Sequence, residues 1–212
     1  MKIKKLLATV MAIATVLTSG VTAFAAEPEQ PQTTGHIVSE VAEKYNITED
    51  EVINLNTNFK NALKTANEVE AISEDGSSVK TVPVSENLVL TITTEETPSN
   101  TRAVYERTIT STAELKNILG GTVVTLKSVG VFRTNGSTSV PVDAYGTYSS
   151  LVWNVTTTES KLGSTAYNAW VRNGFSGEFN IGIDPVSMTI QSFSYSCKIY
   201  CNAVGTYSAT WS

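Results

Sequence analysis

The sequence predicts a mainly β protein, an antiparallel β-sandwich or open barrel with an N-terminal α-helical hairpin. Three observations carry this expectation. Residues 121–212 are rich in Ser and Thr and place aromatic or aliphatic residues on alternate positions. Turn signals, among them Asn135-Gly136, Asp184-Pro185 and single glycines, separate these runs at the spacing of short antiparallel strands. Apolar residues recur at helical spacing between residues 37 and 69.

Taken in order, residues 1–25 are expected to be a secretory signal peptide. Lys2, Lys4 and Lys5 precede an apolar run from Leu6 to Leu17, and Ala23-Phe24-Ala25 forms a small-x-small cleavage site. Cleavage there leaves 212 − 25 = 187 residues starting at Ala26. The apolar run is too short to span a bilayer, so no transmembrane anchor is expected and the protein is placed outside the cell, secreted and extracellular. Residues 27–35 are rich in Pro, Gln and Thr and read as disordered.

Ile37, Val38, Val41, Ala42 and Tyr45 then mark a short helix closed by Asn46. Thr48-Glu49-Asp50-Glu51 is a capping box that opens a second helix. Its apolar stripe is Val52, Leu55, Phe59, Leu63, Ala66 and Val69, while Asn54, Asn56, Thr57 and Asn58 weaken its first half. Residues 73–78 read as an acidic, Gly-containing linker. The expected domains are therefore a signal peptide (1–25), an acidic helical segment with its linker (26–78) and a β-sandwich domain (79–212), with the helical segment dispensable for the β core.

Within the β part, strands are expected over 87–94 and 104–110. Residues 95–101, with Pro98, read as a loop, and 113–119 as a short helical or irregular piece. From Thr122, Val124, Leu126 and Phe132 share one face opposite Lys127 and Arg133. Asn135-Gly136 is expected to form a type I′ hairpin turn, and Pro141 to mark an edge or bulge. Leu151, Trp153 and Val155 alternate on the next strand, which places Trp153 in the core with its indole N–H bonded. Residues 161–164 read as a loop, 165–172 as a strand carrying Tyr167 and Trp170 on opposite faces, and Asn173-Gly174 as a turn. Residues 188–201 form the longest strand. Gly205, Tyr207, Ala209 and Trp211 close the domain.

Charge divides the chain. Residues 26–100 hold 14 Asp/Glu and 4 Lys, net 4 − 14 = −10; residues 101–212 hold 6 acids and 8 bases, net 8 − 6 = +2. The acidic part lacks the basic footprint that nucleic acid requires, so no nucleic-acid partner is expected. It serves solubility, or covers the mildly basic β part in the manner of a pro-region. The two cysteines, Cys197 and Cys201, alternate along one strand with Phe193, Tyr195 and Ile199. Four residues of strand span roughly 13 Å, whereas a disulfide needs Cα atoms within about 7 Å. Two buried free thiols are expected, unless another chain supplies a partner.

Two resemblances rest on particular residues. Residues 39–48, Ser-Glu-Val-Ala-Glu-Lys-Tyr-Asn-Ile-Thr, followed by Leu55-Asn56, resemble the helix-turn-helix core of a LysM module, a family that binds N-acetylglucosamine polymers. The first strand and Gly-Asp-Thr turn of that family are missing and no closing strand follows, so a generic helical hairpin is the reading taken. Asn117-Ile118-Leu119-Gly120, residues 130–137, Gly163-Ser164-Thr165-Ala166 and the strand end at Cys201 resemble uncharacterised secreted β-rich proteins of Gram-positive bacteria, over roughly residues 87–205. That resemblance implies no activity.

No catalytic, cofactor-binding or metal site is expected. His36 is the only histidine and lies at the start of the helical segment, away from the β core where a Ser-His-Asp or Cys-His site would need it. One His and two Cys on one face make no zinc set. The carboxylates of the β part are Glu106, Glu114, Asp143, Glu159, Glu178 and Asp184, and sequence alone pairs none of them across a cleft as a glycosidase requires. The aromatics Tyr145, Tyr148, Trp153, Tyr167, Trp170, Tyr195, Tyr200, Tyr207 and Trp211 either build the core or stack on sugar rings. The expected function is a non-enzymatic extracellular binding or interaction module, its partner a cell-wall glycan or another protein. The alternatives are a carbohydrate-binding module, marked by an exposed aromatic strip beside Asp or Asn, then a secreted toxin or antimicrobial factor with an acidic pro-region, and a hydrolase last.

Overall fold

Two helices lead into ten strands in the computed structural model of the chain, which describes residues 34–74, 77–99, 105–150, 153–181 and 188–212. The segment expected to be a signal peptide, Leu151, Val152 and Asp184-Pro185 lie outside the described residues. Helix α1 (Thr34–Tyr45) stops where Asn46 takes φ 51°, the left-handed conformation that Asn tolerates better than most residues. Helix α2 (Glu49–Glu68) starts at the capping box: the Thr48 hydroxyl accepts from the Glu51 N–H, and the Glu51 carboxylate accepts from the Thr48 N–H at 2.7 Å.

The first sheet runs β1 (Ile72–Glu74), β2 (Ser77–Pro83), β3 (Leu88–Ser99), β4 (Tyr105–Asn117), β5 (Thr122–Thr134) and β6 (Ser139–Ser150) in sequence order. The second has the order β10 (Tyr207–Trp211), β9 (Met188–Asn202), β8 (Asn168–Ile181), β7 (Asn154–Ser164). All pairings are antiparallel. The chain is thus a meander that changes sheet once, between β6 and β7, and the two sheets do not close into a barrel.

The inner faces follow the alternation read from sequence. Val124, Leu126 and Phe132 of β5 are buried, as are Phe193, Tyr195, Cys197, Ile199 and Cys201 of β9. A polar seam crosses between the sheets. Trp211 Nε1 donates to Ser111 Oγ at 3.0 Å, and Asn173 Nδ2 donates to Ser128 Oγ at 2.7 Å and to the Val129 carbonyl at 3.0 Å. Both cysteines are free and buried. Burial pushes the Cys197 thiol up to about 12 despite hydrogen bonds with Ser128 and Ser111, so it is an inert core group.

Several local expectations are corrected. Residues 73, 74, 77 and 78 are not linker but lie on β1 and β2, which pair with Glu74 opposite Ser77. Residues 95–99 continue β3: β2 pairs with it only as far as Thr94, so Pro98 owes no hydrogen bond on that side. Residues 113–117 continue β4, because Ala113, Leu115 and Asn117 are buried on alternate positions, a period of two. Residues 161–164 belong to β7. Asn173-Gly174 lies in mid-strand, with Asn173 buried and bonded across the core rather than turning. At 135–138 only Gly136 has positive φ (84°), so the turn is not type I′; Asn135 Oδ1 instead accepts from the Ser137 and Thr138 N–H groups. The bulge expected at Pro141 is present, with Val131 opposite Asp143 and Phe132 opposite Pro141.

The helices are not an appendage. Val52, Leu55, Phe59, Ala62, Leu63 and Ala66 of α2 join the same buried cluster as both sheets. Phe59 meets Tyr195 edge-on at 5.1 Å between centroids and Trp153 at 6.0 Å. β10 reaches only the C-terminal part of β9, leaving the earlier part of β9 an open edge, and α2 covers it. Asn56 Nδ2 donates to the Ser192 carbonyl, Gln191 Nε2 donates to the Val52 and Ile53 carbonyls, and the Tyr195 hydroxyl donates to the Asn56 carbonyl. Eleven residues on, about three helical turns, Asn67 bonds Trp211 as a strand would: its Nδ2 donates to the Trp211 carbonyl and its Oδ1 accepts the Trp211 N–H. The asparagine expected only to weaken the helix is therefore part of what docks it.

Glu51 fixes the start of α2 to the first sheet. Its carboxylate, 7 % exposed, accepts from Ser85 Oγ, from the Asn87 N–H at 3.0 Å and from Asn87 Nδ2 at 3.1 Å. Burial alone would raise its pKa, but the hydrogen bonds from Ser85, Thr48 and Asn87 outweigh it and hold the group at about 2 instead of 4.5. A folded-state value below the unfolded one stabilises at higher pH. The contribution, about 3 kcal/mol, is complete above pH 4.5 and is lost as pH falls toward 2. Urea denaturation across that window should show the loss in the native chain and not in Glu51→Gln; equal pH dependence in both would overturn the assignment.

Candidate functional site

The outer face of the second sheet carries three successive cross-strand rows of contrasting chemistry, fixed by the register. The first is Gly163, Trp170, Tyr200 and Ser208; the second Lys161, Arg172, Lys198 and Thr210; the third begins Thr158, Gly174, Ser196. A bulge in β7 at Glu159-Ser160 sets this alignment, since Thr158 opposes Gly174 and Lys161 opposes Arg172. The bulge turns Ser160 inward, where its hydroxyl donates to Asn173 Oδ1 at 2.6 Å, and leaves Lys161 and Gly163 on the outer face.

Gly163 is the seat of Trp170. A Cβ there would lie 2.5–2.8 Å from ring atoms Cζ2, Cε2 and Nε1, so the half-buried indole rests directly on the β7 backbone. Lys198 Nζ lies 4.4 Å from the Trp170 ring centre and 4.7 Å from that of Tyr200, which joins the two rings through one ammonium. Arg172 Nε donates to Ser196 Oγ at 3.0 Å, which orients the guanidinium. A depression of about 220 Å³ beside it is lined by Thr158, Glu159, Lys161, Arg172, Gly174 and Ser196, among others. A second, of about 250 Å³, continues along the same sheet past Thr156, Ser176 and Glu178.

The other aromatics singled out from sequence scatter. Trp153, Tyr195 and Trp211 are buried. Tyr145 and Tyr148 are exposed on β6 but three residues apart, hence on opposite faces. Tyr207 lines a groove of about 320 Å³ where the end of α2 meets β2, β3 and β10; there Lys80 Nζ is bonded to the Ala66 carbonyl. Tyr167 is exposed just before β8. Trp170, then, is the residue of that pair whose ring the outer face of the sheet supports.

The carboxylates scatter too. Glu106 pairs with Arg133 and Glu114 with Lys116, while Asp143 Oδ1 accepts from the Ala144 N–H. Each of these two depressions is lined by one carboxylate among the described residues, Glu159 or Glu178. Among the described residues no three of His, Cys, Asp and Glu stand close enough together to hold a metal ion, and no helix is long and apolar enough to cross a membrane. No family model, curated protein or solved structure matches the chain.

Proposed function

We propose that the chain is a non-enzymatic extracellular binding module that takes a saccharide on the outer face of its second sheet. The observation that carries this is the Trp170–Tyr200 pair. Two aromatic rings stand side by side on a rigid sheet, one seated on a glycine, and Asn168 and Asn202 face each other one row beyond them. Sugar rings present C–H faces that stack on such rings, while the amides and the Ser/Thr rows can bond hydroxyl groups. The Lys-and-Ala leader supports an extracellular location, as does the resemblance of residues 87–205 to secreted β-rich proteins. One carboxylate per depression favours binding over glycoside hydrolysis, which needs two.

A pull-down of the secreted chain with purified cell wall and a glycan panel tests the reading. The native chain should be retained. Trp170→Ala should lose about tenfold or more in affinity with an unchanged melting midpoint, because the ring lies outside the core. Retention unaffected by Trp170→Ala, or no retention on any glycan, would sink the proposal.

A further inference from the structure

We infer that the ligand of this face is an acidic polysaccharide whose carboxylates are read by Lys161, Arg172 and Lys198. The inference rests on the saccharide reading above and adds the charge class. The three cations occupy directly opposed positions on three neighbouring strands, which places them on a line at roughly 4.8 Å per strand. Like charges directly opposite one another destabilise a sheet. None of the three is in an ion pair: the ion pairs among the described residues are Arg107–Glu96, Lys116–Glu114 and Arg133–Glu106. Glu159 borders the same depression but forms no ion pair with any of the three. The chain as a whole carries −5, so an unneutralised cationic row is a local exception to its charge.

The row lies next to the aromatic pair, and the two are physically joined by Lys198. A partner that satisfies both must offer a flat ring and an anion within one sugar unit. A pyranose with a carboxylate on the ring does so. With Nε held by Ser196, the remaining edge of the Arg172 guanidinium is free for the two-point bonding that carboxylates accept. A phosphate polymer without a ring would satisfy the cations and leave the rings idle, so the carboxylated glycan is favoured.

The test titrates the secreted chain with polygalacturonate and alginate, with the fully methyl-esterified form of each, and with poly(glycerol phosphate). The expected result is binding of at least one uronate polymer about tenfold or more above its ester, a steep fall of affinity with salt, and a loss of about tenfold or more in Arg172→Gln/Lys198→Gln. That double variant should melt close to the native chain, because relief of the like-charge opposition offsets the lost Lys198 ring contacts and Arg172–Ser196 bond. If the esters bind as well as the acids, and the double variant is unaffected while Trp170→Ala still loses binding, the charge assignment falls and the saccharide reading stands. Binding of poly(glycerol phosphate) in place of both uronates overturns the assignment as well. Binding insensitive to all three substitutions overturns the inference and the saccharide reading together.

Discussion

Phe59→Ala is expected to lower stability by about 3–5 kcal/mol, and removal of residues 34–68 to abolish the cooperative melt. Phe59 is fully buried between Trp153 and Tyr195, so its truncation leaves a cavity bounded by a helix and the second sheet together. The deletion goes further. It uncovers Leu88, Leu90 and Ile92 of β3, which share the buried cluster with α2. It also strips Asn56 and Asn67 from the open edges of β9 and β10. An exposed edge with unpaired N–H and C=O groups pairs readily with other chains, so the shortened protein should aggregate. Urea denaturation of the point variant and calorimetry of the deletion measure both effects. A fragment starting at residue 69 that melts cooperatively near the native midpoint would return the helices to the status of a dispensable segment.

That reversal shows what a linear reading can and cannot reach here. The capping box at Thr48, the stripe from Val52 to Ala66, the β5 face and the alternating β9 face were legible, because each is a local pattern with one period. The docking of α2 was not. It depends on how far β10 extends along β9, and an asparagine that costs helix propensity looks the same whether or not a strand edge waits opposite it. The break at 73–78 misled for a related reason. Polar, Gly-containing residues make a linker or a hairpin equally well, and the choice falls to the β3 edge, against which β2 pairs. The candidate site was half legible. Trp170 and Tyr200 could be counted among the aromatics, but their alignment depends on the β8–β9 register, and the placing of Gly163 and Lys161 beside them on the Glu159-Ser160 bulge, which shifts the register of β7. No turn residue announces that bulge. Its inward Ser160 finds Asn173 across the sheet, a contact between residues that the sequence reading placed beside a loop and in a turn.

Trp153→Ala should likewise cost about 3–5 kcal/mol, but Trp153→Phe should cost far less than the same change at Trp211. Both tryptophans are buried, Trp153 4 % and Trp211 1 % exposed. Trp153 packs on Phe193 at 4.7 Å between ring centres and on Phe59, so Ala opens a cavity in the cluster that joins α2 to the second sheet. Its indole N–H, expected from sequence to find an acceptor, has none among the described residues. A buried donor without a partner costs about 1–3 kcal/mol, and Phe removes that donor while keeping an aromatic ring in place, which offsets much of the lost contact. Trp211 stacks on Phe175 at 5.7 Å and donates to Ser111 Oγ, so Phe there removes a made hydrogen bond in the polar seam. Urea denaturation of the three variants separates these cases. A Trp153→Ala shift within error would displace that residue from the core. Equal costs for Phe at the two sites would show that the Trp153 N–H is bonded in solution.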